Sequence, residues 1–219
     1  MDYLNAAGKA ELLFHGTRAR RFDKFDLCML GSGEGKHAAD GIYFTPSLKG
    51  AGWHADYTAN QNGIPLIYVC VFKQNAKILT LNKSIDMHPK LIQKHWDTLP
   101  VWISTKTGPN WYSELALTPE SSAFQGYPKL DDRERCKILF RHGIDAIRDF
   151  ESGQYVDHIY GRSHLVLNTD SIEIIEILNC DAIADELSDD SKNYFLADDA
   201  SELGSTGVLS RIRVNITVT

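Results

Sequence analysis

His15, Gly16, Tyr43 and Tyr57 are the residues whose types and spacing could do chemistry. His15 and Gly16 close a short apolar run, Leu13-Phe14-His15-Gly16-Thr17-Arg18, and Tyr43 lies inside a second, Gly41-Ile42-Tyr43-Phe44-Thr45. A histidine at a strand end can hydrogen-bond a ribose hydroxyl. A glycine has no side chain to hold a ligand away from its N–H and C=O, so a flat amide can approach its backbone. A tyrosine can stack on a heteroaromatic ring. Singly, each has a plainer reading: a core histidine with its bonds satisfied, and tyrosines that pack. Together they describe a pocket for a nicotinamide riboside.

The elements that must position these residues are short. Leu12 to His15 reads as a strand ended by Gly16-Thr17, and Arg20 to Leu30 as a short helix. Gly31-Ser32-Gly33-Glu34-Gly35 opposes regular structure. Gly41 to Thr45 is a strand stopped by Pro46, and Lys49 to Ala59 a helix carrying Trp53, His54 and Tyr57. Pro65 to Lys73 is the clearest buried strand, with Ala76 to Leu81 after it. Leu91, Ile92, His95, Trp96 and Leu99 have helical spacing within Pro89 to Leu99. Residues 100–130 carry Pro100, Pro109, Pro119 and Pro128 and read as irregular, with a short helical piece at Trp111 to Leu117. Asp131 to His142 is a helix with Gly143 as its stop. Ile144 to Ile147, Ser163 to Asn168 and Ser171 to Leu178 are strands. Short strands with interspersed helices and no regular βαβ alternation predict an α+β fold.

Composition bounds the partners. The 219 residues are 43% hydrophobic and 24% charged, ordinary for a globular protein. Residues 181–219 hold eight Asp/Glu and three Lys/Arg, so −5 of the net −6 lies there and the rest is close to neutral. That is not the footprint of a nucleic-acid binder. Neither a membrane span nor a signal peptide is expected. This fits a cytoplasmic protein, or one exported by a signal-independent route. The division expected is 1–180 as one domain and 181–219 as an acidic tail whose alternating Val208 to Val218 reads as an edge strand. Cys28, Cys70, Cys136 and Cys180 are far apart and form no CxxC pair, and the histidines lack zinc-ligand spacing, so no metal is expected. The basic cluster Arg18, Arg20, Arg21 and Lys24 is either a solvated loop or a charge complement for a pyrophosphate or an acidic partner.

The run at His15, the glycine-rich loop after it, Gly41-Ile42-Tyr43-Phe44-Thr45 and Ala55-Asp56-Tyr57 resemble the diphtheria-toxin and poly(ADP-ribose) polymerase type of ADP-ribosyltransferase. Further segments fall in the family's order. Pro65 to Ala76 is similar to its central strand. His142-Gly143-Ile144-Asp145-Ala146-Ile147 is similar to a segment of small bacterial and phage members. Ser163 to Ile172 is similar to the strand and turn of the third motif. The resemblance covers roughly residues 12–178. It implies an ADP-ribosyltransferase-like fold of two packed, mostly antiparallel sheets with flanking helices, and NAD as co-substrate. His15 would hold the adenosine-side ribose and the Gly16 backbone the nicotinamide carboxamide, with Thr17 and Arg18 near ribose and phosphates. Tyr43 would stack on the nicotinamide. Tyr57 would cover the other face, with Trp53 and His54 as alternatives because three residues are inserted after Tyr43.

The family's third motif supplies a glutamate, and here Ser163 stands at that position, with Arg162 and His164 beside it. The reaction breaks the glycosidic bond to nicotinamide through an oxocarbenium-like transition state that a carboxylate stabilises. Family members without that glutamate transfer a single ADP-ribose or are inactive, so chain elongation is not expected here. Asp149, Asp157 and Glu114 are alternative acids, each with the plainer reading of a surface carboxylate. Glu151 is preferred because it precedes a flexible glycine near the expected site, with Gln154 to orient an acceptor. The activity implied is mono-ADP-ribosylation of a protein acceptor, a host protein if the chain is a bacterial effector or toxin. Its rivals are a non-catalytic NAD or ADP-ribose-binding module and an NAD glycohydrolase. The helix with Trp96 and residues 100–130 have no family counterpart; they serve as packing or as target recognition.

Overall fold

A computed structural model describes residues 11–30, 39–57, 63–81, 83–98, 132–150 and 163–188. The protein is α+β, with two open, mostly antiparallel sheets and, among the described residues, four α-helices. The first sheet has the order β1 (Leu12–Thr17), β3 (Leu66–Phe72), β7 (Ile172–Asn179). The second runs β2 (Ile42–Phe44), β6 (His164–Val166), β5 (Ala146–Arg148), β4 (Ile78–Thr80), with only the β4–β5 pair parallel. Leu13, Tyr68, Cys70 and Phe72 of the first sheet share one buried cluster with Ile42, Phe44, Ile78, Ala146 and Val166 of the second, so the sheets face each other.

Helices cover the two outer faces. α1 (Leu48–Tyr57) packs on Leu12, Phe14, Ile67 and Val69, together with Ile183 and Leu187 around α4 (Ala184–Ser188). The chain after Asp181 thus continues into the outer layer of the first sheet through residue 188. α2 (Lys90–Trp96) and α3 (Asp132–Arg141) bury Ile92, Trp96, Cys136 and Leu139 on the outer face of the second sheet. None of the described helices is long and apolar enough to cross a membrane. The predicted piece at Trp111 to Leu117 and the strand at Val208 to Val218 lie outside the described residues.

Local chemistry sets the helix ends. Ser47 Oγ accepts the Gly50 N–H at 3.0 Å, an N-cap bond for α1. α3 ends as its glycine requires. Gly143 has φ 82°, its N–H bonds the Phe140 carbonyl at 2.9 Å, and the Ile144 N–H reaches back to Leu139 at 3.0 Å. That pair of bonds is a Schellman motif, which a residue without Cβ closes at least strain.

One expectation changes. Arg20 to Leu30 is not a helix; only Leu27–Met29 forms a 3-10 turn, capped by Asp26. Phe22 stacks on Tyr68 with centroids 4.2 Å apart and gives its N–H to the Tyr68 hydroxyl at 2.9 Å. Phe25 packs edge-on to His15 at 5.2 Å. The two rings anchor an irregular segment instead. In β7 the alternation breaks because a bulge opposite Val69/Cys70 inserts one residue. Ile174 and Ile177 can then both join the inter-sheet core, while Ile175 turns outward.

Buried charge joins the sheets at one end. The Arg148 guanidinium lies 2.5 Å from Glu11 Oε2, and His164 Nε2 is 3.4 Å from Glu11 Oε1. His164 Nδ1 accepts the Asp149 N–H at 3.2 Å. Burial alone would raise the Glu11 carboxyl, but the His164 imidazole and the Arg148 guanidinium override it and hold the pKa near about 2. The ordinary value is 4.5, so the contribution is present above pH 4.5 and is lost as pH falls toward about 2. Glu11→Gln leaves Arg148 without its counter-charge and should cost about 3 kcal/mol at neutral pH. In denaturation at a series of pH values, the variant should show a shallower loss of stability between pH 4.5 and about 2 than the wild-type chain.

Candidate functional site

The backbones of the two sheets meet at a bridge between β1 and β2, and His15, Gly16 and Tyr43 lie beside it. Phe14 and Thr45 exchange both main-chain hydrogen bonds, at 2.8 and 2.9 Å. This bridge is isolated, so β1 and β2 touch and then separate. Carried two residues on, the same register would pair Gly16 with Tyr43. The Tyr43 carbonyl is instead bonded by His15 Nδ1 at 2.9 Å. A carbonyl only accepts, so Nδ1 carries the proton and Nε2 of the neutral ring is an acceptor.

Alternation fixes where Gly16 points its backbone. Phe14 bonds toward β2, so Gly16, two residues later, directs its N–H and C=O the same way and not toward β3. Among the described residues, no β2 backbone group bonds it. Its missing side chain has a second reason. A Cβ on Gly16 would lie 1.8 Å from the Ala51 carbonyl oxygen and 2.9 Å from the Ala55 nitrogen. α1 therefore rests directly on the glycine.

The pleat sorts the remaining side chains. His15 and Phe44 face the inter-sheet core, with ring centroids 5.5 Å apart. Phe14 and Tyr43 face outward, the first under α1 and the second against the outer cluster of the second sheet. Tyr43 meets the ring of Phe150 edge-on at 5.9 Å. Tyr43 pairs with Leu165, so Ser163 falls opposite Thr45 on the same outer face, by the register carried one residue further. Ser163 is buried, and its carbonyl accepts the Phe150 N–H at 2.8 Å. The corner thus holds the Gly16 backbone, Tyr43, Thr45, Ser163 and the facing side of α1, which ends at Tyr57.

Thr17 and Arg18 have local work. Thr17 Oγ1 accepts the Ala19 N–H at 3.1 Å. Arg18 bonds the carbonyls of Ala55 at 2.8 Å, Gly63 at 3.1 Å and Asp56 at 3.4 Å, plus the Asp56 carboxylate at 3.2 Å. It closes the C-terminus of α1, where carbonyls lack helical donors and a cation is favoured. Glu151, with Gln154, Asp157, Arg162 and Glu114, lies outside the described residues. Its neighbour Phe150 is the residue that packs on Tyr43.

Other groups are bound into structure. Asp145 is buried and accepts from the Lys77 N–H at 2.8 Å and Asn168 Nδ2 at 2.7 Å, tying the ends of β4, β5 and β6. Burial pushes the Cys70 thiol well up and Cys180 to about 12, so neither is a thiolate near neutral pH. No group of three metal-ligating side chains occurs among the described residues. Sequence reasoning missed the Glu11–Arg148–His164 cluster, because Glu11 gains its partners only when the sheets meet. The chain matches no protein-family model, no curated protein and no solved structure.

Gly16→Ala forces a methyl into the α1 backbone. It should lower stability by about 3 kcal/mol, read by denaturant unfolding. Arg18→Met should lower it by about 1–2 kcal/mol through the lost carbonyl bonds.

Proposed function

We propose that this protein is a mono-ADP-ribosyltransferase, which moves ADP-ribose from NAD to a protein acceptor and releases nicotinamide. The observation that carries this reading is the split between β1 and β2. His15 occupies the Tyr43 carbonyl, the Gly16 backbone is turned toward the gap, and Tyr43 flanks it on the outer face. A glycine N–H and C=O side by side match the C=O and NH2 of a carboxamide, and a tyrosine ring beside them can stack on the pyridine. The two facing sheets with helices outside are in keeping with an ADP-ribosyltransferase-like fold. The family resemblance itself rests on the motifs at His15-Gly16 and Gly41 to Thr45.

In the reaction, the C–N bond between ribose and nicotinamide breaks and its electron pair leaves with nicotinamide. An acceptor nucleophile bonds the ribose carbon and gives up its proton. The chain's contribution is to orient the nicotinamide and to stabilise the positive charge that develops on the ribose. Ser163 cannot supply that charge. Glu151 follows Phe150, which packs on Tyr43, and is the carboxylate assigned to the task.

One observation favours a second reading. Among the described residues of the outer corner, Ser163 stands where a carboxylate would serve the chemistry, which suits a module that binds NAD without turnover. Labelled NAD incubated with the protein and a cell lysate separates the cases. Transfer puts label on an acceptor and releases nicotinamide, and Glu151→Gln should reduce both by about 100-fold. Nicotinamide without labelled protein identifies a glycohydrolase. Neither product, with a rise in melting temperature on adding NAD, identifies a binding module. Unchanged transfer in the Glu151→Gln chain would move the catalytic acid elsewhere.

A further inference from the structure

The first sheet ends on β7, and among the described residues no strand pairs with its far edge. The contrast with the central strand is plain. β3 is buried from Ile67 to Phe72, whereas Ile174, Ile175 and Ile177 of β7 are only half-buried. Ile174 and Ile177 belong to the inter-sheet core and Ile175 to the helix-covered side, so both faces of the sheet stop short of covering this edge. A strand edge of eight residues with apolar side chains along it is one that proteins pair or cover.

The acids of β7 share one face. Glu173 is the register partner of Val71 and Glu176 of Val69, and both valines belong to the outer cluster under α1. The bulge fits the step from Glu173 to Glu176 onto the two-residue step from Val71 to Val69. The two carboxylates therefore stand at the interval of successive side chains on one strand face. The complementary pattern lies in residues 208–218, outside the described residues. There Ile212, Val214, Ile216 and Val218 alternate with Arg211, Arg213, Asn215 and Thr217, and no Asp or Glu follows Glu202. Read as a strand, this segment has one apolar face and one face with two cations at the same two-residue step. The connection is long enough. Residues 189–207, which follow α4, span up to about 60 Å when extended, against about 27 Å for the whole of β7.

We propose that the far edge of β7 is the docking site of this chain's own residues 208–218, which add to the first sheet as a fourth strand. Ile212, Val214, Ile216 and Val218 then extend the inter-sheet core beside Ile174 and Ile177, and Arg211 and Arg213 pair with Glu173 and Glu176 on the outer face. A slip of one residue would send the arginines into the inter-sheet core and the apolar set away from it, so charge and hydropathy select the same register. Opposite charges on neighbouring strands and the backbone ladder hold the segment together. The proposal stands apart from the NAD reading.

The test is hydrogen–deuterium exchange read by mass spectrometry on the purified full chain and on three full-length variants, E173K/E176K, R211E/R213E and the four-fold combination. Light scattering gives the mass of each, and peptides from β3 report whether the sheet is intact. In the wild-type monomer the amides of 208–218 should exchange about 10-fold more slowly than in either double variant. The four-fold variant should recover that protection, because opposite charges again face each other. Exchange in β3 should be the same in all four chains. Rapid exchange of 208–218 in the wild-type chain overturns the proposal, and that measurement does not depend on how the variants fold. Protection that both double variants keep, or that the four-fold variant fails to recover, also overturns it. Protection found only in a dimer overturns it as well, since a second copy would then occupy the edge.

Discussion

The fold turns on one pair of hydrogen bonds, those exchanged by Phe14 and Thr45. They join the two sheets, and because they are alone the strands must part beyond them. A parted ladder leaves backbone groups without strand partners, which is costly unless other groups satisfy them. The His15 imidazole meets that need on one side by bonding the Tyr43 carbonyl. On the other side the Gly16 N–H and C=O are turned toward the gap. The same histidine that bonds across the gap leaves the Gly16 edge facing it, so the bond and the open edge are consequences of one geometry.

That geometry has to be held from several directions. α1 presses on Gly16 so closely that only glycine fits, and Arg18 reaches back from the end of β1 to secure the carbonyls at the helix terminus. β1 is thereby tied to the helix both at its surface and at its end. At its start, Glu11 is locked to Arg148 and His164 across the inter-sheet space. A buried ion pair is a weak source of net stability, but it fixes which groups meet. Here it sets the register of β1 against the second sheet, and hence the place where the bridge forms and the split begins.

Much of this was legible in the sequence, for identifiable reasons. β1, β2 and β3 are runs of apolar and β-branched residues bounded by Gly or Pro, and α3 announces its end through Gly143. That His15 and Tyr43 lie near each other was readable from the two motifs; the bond from His15 Nδ1 to the Tyr43 carbonyl was not, because a backbone acceptor leaves no mark in the sequence. The stretch from Arg20 to Leu30 was misread because Phe22 and Phe25 at a spacing of three fit a helix, and only the tertiary partners Tyr68 and His15 reveal another use. The broken alternation of β7 has its cause in a bulge, which spacing alone does not display. Arg18 read as a phosphate ligand because its partners, the carbonyls at 55, 56 and 63, carry no side-chain signature.

The second sheet constrains what its outer corner can carry. Its strands are only three residues long, and the outward positions beside Tyr43 are filled by Leu165 and the buried Ser163. A carboxylate in place of the buried Ser163 would be desolvated, which favours its neutral form. The chain instead leaves β5 through Asp149, whose φ of 57° reverses its direction. It then anchors Phe150 by the bond to the Ser163 carbonyl and lays its ring on Tyr43. The outward positions beside Tyr43 are thus closed by apolar and neutral groups, and the turn at Asp149 fixes how Phe150 meets them.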